Sequence, residues 1–283
     1  MPDAVERVRA FVAAMTAARA DFVIQLGDFC QPHPRNQAVL AAWNAFAGPR
    51  YHVLGNHDMD GGYKPEQTVA FYAVPARYYA FTAGPLRGLV LDGNEPGGKG
   101  KGYKRFIGPE QLAWLERELA ASDRPVAVFV HQPLFGNDGG CVENSAAVRA
   151  VLEKAQAATP GRVAGVYGGH LHVDAALAVN GVNHVQINSA SYWWLENAAA
   201  ARETYPPEVH KQHPYLRCVA AYRDPLWALV TLDFENGTWA LEGRSSAWVG
   251  PDPWERGERT TRPREQVCPR IADRNGKLVA AAL

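Results

Sequence analysis

The chain has 283 residues, 47% of them apolar, enough to bury a large core as one domain or as one domain carrying a small appendage. Its 29 basic and 29 acidic residues cancel, so no long-range field recruits a nucleic acid duplex or an anionic membrane surface. No stretch approaches the roughly 20 consecutive apolar residues of a membrane helix, and Cys30, Cys141, Cys218 and Cys268 form no C-x-x-C, which argues against a zinc ribbon and against a dithiol redox motif.

Met1 is followed by Pro2, Asp3 and Glu6, not by a basic segment, so the chain as given is expected in the cytoplasm, with an export signal upstream of Met1 left open. Residues 3–19 place Val5, Val8, Val12 and Met15 on one helical face. The apolar run Phe22 to Leu26 reads as a buried strand that hands Gly27 and Asp28 to a loop. A helix around 36–47 carries Val39, Leu40, Trp43 and Phe46, and a strand from Tyr51 to Leu54 runs into Gly55-Asn56-His57-Asp58. Strand-like stretches at 78–82 and 88–91 precede a Gly- and Lys-rich loop from Gly93 to Lys104. A helix then starts at Gly108-Pro109, with proline at its first position, and turns Leu112, Leu115 and Leu119 inward.

The strand Pro125 to Val130 ends at His131, and Asn144 or Ser145 is expected to cap a helix bearing Val148, Val151 and Leu152. Val163 to Tyr167 leads into Gly168-Gly169-His170-Leu171-His172. Two hairpins follow, one turning at Asn180-Gly181 and one at Asn236-Gly237. Beyond Gly250 the chain is dense in Pro, Arg and Glu. The expected organisation is one domain over 1–249 and an irregular extension over 250–283 that packs on it or trails from it. Alternating strands and helices followed by hairpins imply an α/β sandwich whose second sheet is completed late.

Open α/β sheets place their sites at the carboxyl ends of the strands, so residues ending four separate strands can meet in space. Asp28, Asn56, His131, His170 and His172 hold those positions. An aspartate after a strand is ordinarily a turn residue, and a strand-end histidine is ordinarily part of the rim. The combination is what speaks for a site: a carboxylate can bridge two cations, an amide oxygen adds a neutral ligand, and imidazoles favour Fe, Mn or Zn over Ca or Mg.

These motifs, Gly27-Asp28, Gly55-Asn56-His57-Asp58, His131 and Gly169-His170-Leu171-His172, resemble the calcineurin-like metallophosphoesterase family over about residues 20–190. The resemblance implies a four-layer α/β/β/α sandwich of two mixed sheets and hydrolysis of a small phosphorylated substrate: a phosphomonoester, a phosphodiester or a nucleotide pyrophosphate. It implies two divalent or trivalent first-row metal ions that activate a hydroxide, with Asp28 bridging them. Asn56, His131 and His170 would complete one metal and His172 would bind the other. His57 and Asp58 would be catalytic, Asp58 fixing the tautomer of His57. Lys104, Arg105 and Tyr192 are secondary candidates for substrate contact, the first two by charge and Tyr192, with Trp193 and Trp194, by stacking.

The family's opening Asp-x-His, which would supply two ligands of the first metal, occurs nowhere in the sequence. The expectation is that the strand carrying it is missing and the chain begins late, with the second metal position occupied in preference to the first and turnover reduced. The apolar stretch Leu278 to Leu283 is one candidate to fill the vacant place. The alternative function is a binding module of the same lineage without catalysis. Nothing in the sequence points to an oligomeric state.

Overall fold

Apolar periodicity switches between 3.6 and 2 along the chain, and helices and strands switch with it. The computed structural model describes residues 1–136 and 139–278. The elements are α1 (Ala4–Ala17), β1 (Val23–Gln25), α2 (Gln37–Asn44), β2 (Arg50–His52), α3 (Pro65–Tyr72), β3 (Tyr79–Ala83), β4 (Leu86–Leu91), α4 (Pro109–Ala121), β5 (Val126–Val130), α5 (Ser145–Ala158), β6 (Val163–Gly168), β7 (Ala175–Val179), β8 (Val182–Gln186), β9 (Tyr192–Trp194), α6 (Pro207–Gln212), β10 (Val219–Ala221), β11 (Leu229–Asp233), β12 (Thr238–Glu242) and β13 (Arg274–Lys277). Among the described residues no helix is long and apolar enough to cross a membrane.

One mixed sheet has the order β3-β4-β5-β6-β8-β7, parallel in its middle and antiparallel at both edges. Its central strand β5 is buried at all 5 residues. One face of that sheet meets α4 and α5 through Leu115, Leu119, Val148 and Leu152. The other face, through Phe81, Phe129 and Tyr167, meets a second layer of strands. A strand covered on both faces requires a continuous apolar run, which is why Val126 to Val130 shows no alternation.

The second layer is built from β1 paired in parallel with β2, and from β11, β12 and β13 in antiparallel order. Its outer face is covered by α1 and α2, where Val12, Met15, Trp43 and Phe46 pack with Val23. Phe11 stacks on Trp43 with ring centroids 5.5 Å apart. The expected α/β/β/α layering is therefore present, and every residue that sequence reasoning assigned to a metal follows a strand of one sheet or the other.

Several elements differ from expectation. The Asn144 side chain does not cap α5; it bridges to the backbone of Ile107, accepting from its N–H at 3.1 Å and donating to its carbonyl at 2.7 Å. Helix α3 has an apolar pattern too short to stand out, but Pro65 at its first position and the Gln67 side chain, whose Oε1 accepts from the Lys64 N–H at 2.8 Å, define it. The segment beyond Gly250 contributes β13 and buries Val267, Ile271 and Leu278. Arg256 is also buried there, donating to the carbonyls of Ala200, Val219 and Arg217. Leu278 donates its N–H to Gly237 at the far side of β12, so it does not enter the gap next to β1. Residues 279–283 of that expected filler lie outside the described residues.

His52 ties the outer layer together as a neutral ring. It stacks on Tyr72 at 4.4 Å, and Gln25 Nε2 lies 3.1 Å from its Nδ1. Burial, helped by the charge of Arg50, lowers its pKa from 6.5 to about 3. As pH falls the unfolded chain therefore takes up this proton first, so the stability contributed by the neutral ring is whole above pH 6.5 and is lost on the way down to about 3. The thermal midpoint is expected to fall through that window, and His52→Phe, which keeps the stacking, to make the fall shallower. Melting curves at stepped pH measure this, and an unchanged slope in the variant would remove His52 from the account.

Candidate metal centre

The loop after β1 is folded by two constraints. Gly27 has φ +96 and lies against His131, where a Cβ would collide with the imidazole, so only glycine serves there. Gly55, after β2, approaches Asp28 so closely that a Cβ would strike its backbone nitrogen and carboxylate. The two strand ends are thus brought together by missing side chains.

His131 is 1% exposed, and its Nδ1 lies 2.6 Å from the carbonyl of Leu26. A carbonyl only accepts, so Nδ1 carries the hydrogen and Nε2 presents its lone pair to the interior. Around that nitrogen stand Asp28 Oδ2 at 3.1 Å, Asn56 Oδ1 at 3.2 Å and His170 Nδ1 at 3.1 Å. Four electron-rich atoms facing one point repel one another unless a proton or a cation lies among them. The candidate ligand atoms of Asp28, His131 and His170 all fall within 4.8 Å of one another. A carboxylate, an amide oxygen and two imidazoles form a donor set that suits a first-row cation, so these residues fit one.

The electrostatics agree. Burial acts to raise the pKa of Asp28, but the charge of His131 and its hydrogen bond prevail and hold it below the usual carboxylate range. Burial likewise opposes a charge on His131, and Asp28 overrides it, so its pKa is raised. His170, by burial and the charge of His131, is pushed down to about 3, and His172, by burial, to about 4. Both are then neutral at neutral pH, the form that binds metal. His172 stands outside the compact group, with a buried Nδ1 that has no hydrogen-bond partner among the described residues. Asp28, His170 and His172 all have positive φ, at 57, 71 and 54 degrees, so backbone strain is concentrated at the candidate ligands.

One assignment from sequence is corrected. Asp58 does not meet the ring of His57; it is 0% exposed, and its Oδ2 accepts from the N–H groups of Asp28 at 3.0 Å and Gly55 at 2.8 Å. The carboxylate on His57 is Asp60, whose Oδ2 is 2.6 Å from Nδ1. Residues 57–59 form a 3-10 turn, in which positions three apart eclipse, and this brings Asp60 under the ring. Tyr103, from the Gly- and Lys-rich loop, donates to Asp60 Oδ1 at 2.9 Å and lies 3.2 Å from His57 Nδ1. Sequence reasoning missed Asp60 and Tyr103, since Asp58 and Asp60 are both near His57 in sequence and only the turn decides between them.

Tyr192 and Trp194 alternate with buried Trp193 along β9, so they share the face that sees the site. Tyr192 lies 5.2 Å from the ring of His172 and 5.2 Å from Trp194, and Trp194 is 6.3 Å from His57. Lys104 is exposed, and Arg105 sits close to Gly100 in the loop that Glu143 secures through the N–H groups of Lys99 and Gly100.

The sequence profile of the calcineurin-like phosphoesterase family matches residues 2–174. Among solved structures, the chain is similar to a dimetal phosphatase from Danio rerio, with 19% identity, 85% of this chain and 86% of that chain covered, and a TM-score of 0.57. It is also similar to GAP50, the anchor in the inner membrane complex of Plasmodium, with 16% identity, coverage of 67% and 68%, and a TM-score of 0.50. No curated protein sequence matches.

The two carboxylates three residues apart separate by experiment. Asp58→Ala strips two buried N–H groups of their acceptor and is expected to cost about 1–3 kcal/mol per abandoned group, whereas Asp60→Ala, at a side chain 36% exposed, is expected to leave stability nearly unchanged. Urea melts of both variants measure the contrast, and equal midpoints would contradict the assignment of Asp58 as the structural carboxylate.

Proposed function

The chain belongs to the calcineurin-like phosphoesterase family, a family of metal-dependent phosphoester hydrolases, and from that footing we propose that it hydrolyses a small phosphomonoester, phosphodiester or nucleotide pyrophosphate at the cluster around His131. The observation that carries this reading is the convergence of Asp28, Asn56 and His170 on His131 Nε2. These four residues would hold one cation, and Asp28 with His172 would contribute to the other. Bound cations supply Lewis acidity toward phosphoryl oxygens and lower the pKa of water.

The remaining roles belong to side chains. His57 engages Asp60 and Tyr103 through Nδ1, which leaves Nε2 as the atom able to give a proton to a departing oxygen. Asp60 accepts from Nδ1–H, so the proton that Nε2 gives is that of the doubly protonated ring, and the Tyr103 hydroxyl restrains Asp60 in turn. Tyr192 and Trp194 offer an aromatic wall beside His172 and His57 for the organic part of the substrate. Lys104 and Arg105 are retained as charged groups that can meet its phosphates.

A non-catalytic binding module is the second reading. It is favoured by the short ligand set, Asp28 and His172, left to the first metal in a sequence without Asp-x-His. Incubation with p-nitrophenyl phosphate and its bis ester, with Mn or Zn supplied, discriminates the two; metal-dependent release of nitrophenolate is expected. His57→Gln and Asp60→Asn are expected to slow hydrolysis of phenyl phosphate by about 10²–10⁴-fold, the range for general acid catalysis. They should slow p-nitrophenyl phosphate much less, because nitrophenolate leaves without a proton. Equal losses on both esters would remove His57 as the proton donor.

A further inference from the structure

The two strand layers share no ladder, so sheet pairing does not fix Asn56, which follows β2, against His131, which follows β5. At the end that carries the site, two side chains of the inner layer reach carbonyls of the outer one. The first is His131 itself, whose Nδ1–H meets the carbonyl of Leu26. The second is Asn94, in the loop after β4, whose Nδ2 donates to the carbonyl of Leu54 at 3.0 Å. Leu54 is buried and lies past the last β1–β2 pair, Gln25 with His52, so its carbonyl needs a partner that no strand supplies.

An asparagine answers every demand of that place. Its Nδ2 gives its other hydrogen to Asp92 Oδ1 at 2.8 Å, and its Oδ1 accepts from Gln132 Nε2 at 2.8 Å. The Leu54 carbonyl only accepts, which fixes the orientation of the amide. Asp92 is held in turn, its Oδ1 accepting also from the Asn94 N–H at 2.9 Å and its Oδ2 from Arg77 Nε at 2.6 Å. Asp92, Asn94 and Gln132 are all buried, so the network lies beneath the site and out of reach of a substrate. One atom is left over. Gln132 Oε1 is buried without a hydrogen-bond partner among the described residues, packed on Gly93, where a Cβ would strike it. An orphaned acceptor costs stability, and it persists here because the donor end of the same amide is committed to Asn94.

Leu54 stands two residues before Asn56, and Gln132 directly follows His131. Asn94 therefore holds the backbone leading to one candidate ligand and the neighbour of another, and those two side chains meet at 3.2 Å. We propose that Asn94 is a positioning residue for the metal cluster: its amide sets the spacing between Asn56 Oδ1 and His131 Nε2, and Asp92 and Gln132 hold the amide in place. The inference rests on the reading of that cluster as a cation site and adds a residue that touches neither cation nor substrate.

Asn94→Leu nearly keeps the side chain's shape and removes its three hydrogen bonds. Titration calorimetry of the full chain with Mn(II) is expected to show a dissociation constant raised about 10–100-fold, the range for groups that orient metal ligands. Urea melts without metal record the cost to folding separately. The discriminating readout is a double-mutant cycle. In a chain that carries Asn56→Ala no spacing is left to set, so adding Asn94→Leu is expected to weaken Mn(II) by less than about twofold. In a chain that carries His172→Ala, outside the compact group, it is expected to have its full effect. A residue that merely packs would shift Mn(II) affinity equally in all three backgrounds, or in none, and either result overturns the proposal. Should Asn94→Leu fail to fold, Gln132→Leu decides in the same cycle, since it removes the bond to Asn94 together with the orphaned acceptor. An unaltered chain that binds no Mn(II) would instead overturn the reading of the cluster, and the inference with it.

Discussion

One carboxylate oxygen sets the geometry on which the site depends. Asp58 Oδ2, without solvent contact, accepts from the N–H of Asp28 and the N–H of Gly55, and so joins the loop after β1 to the loop after β2. Asp28 completes the join from the other side, its Oδ1 accepting from the N–H of His57 at 2.8 Å. The two aspartates are close enough that each affects the other. Burial, then the charge of Asp28, raises the pKa of Asp58, while the cationic tendency of His131 holds that of Asp28 down. A proton shared among these groups and a cation placed among them are alternative ways to neutralise the same buried charge.

Much of the fold was legible because its strands are of the kind that sequence announces. Val126 to Val130 and Val163 to Gly168 are apolar without interruption, and only a strand covered on both faces requires that. The Asn180-Gly181 and Asn236-Gly237 turns fixed two hairpins by the backbone angles that glycine alone adopts freely. The segments that escaped notice hold their places by long-range polar contacts. β13 has the sequence Arg-Asn-Gly-Lys and no strand propensity; it is a strand because β12 offers an edge and Arg274 reaches Asp174 at 2.6 Å. Asn144 looked like a cap and is instead a bridge to Ile107, since the helix start faces a loop with its own backbone to satisfy.

The grouping of the candidate ligands was legible in the sequence, and their supports were not. Asp28, Asn56, His131 and His170 each end a strand, and the rule that sheet termini gather function sufficed to group them. Which carboxylate serves His57 was not legible at that level, because Asp58 and Asp60 are both near it in sequence. The 3-10 turn decides, pointing Asp58 inward to the loop amides and Asp60 outward to the ring. Tyr103 could not have been found from spacing, since 46 residues separate it from His57 and only the folded loop brings the hydroxyl there.

The positions of Asp28 and Asn56 owe little to strand pairing, unlike those of His131 and His170, which follow the longer β5–β6 ladder. β1 and β2 are 3 residues each and meet in a ladder of 3 residue pairs, far too short to fix a loop beyond its ends. Three candidate ligands moreover have left-handed backbone, which costs about 1–3 kcal/mol at each non-glycine residue. Such strain persists only where surrounding contacts over-determine the conformation. Here they are the Asp58 oxygen, the Leu26 carbonyl on His131, and the close approach of Gly27 and Gly55 that lets these groups come within reach. The Asp28 and Asn56 half of the cluster is therefore a property of its loops, set against the half that the β5–β6 ladder delivers.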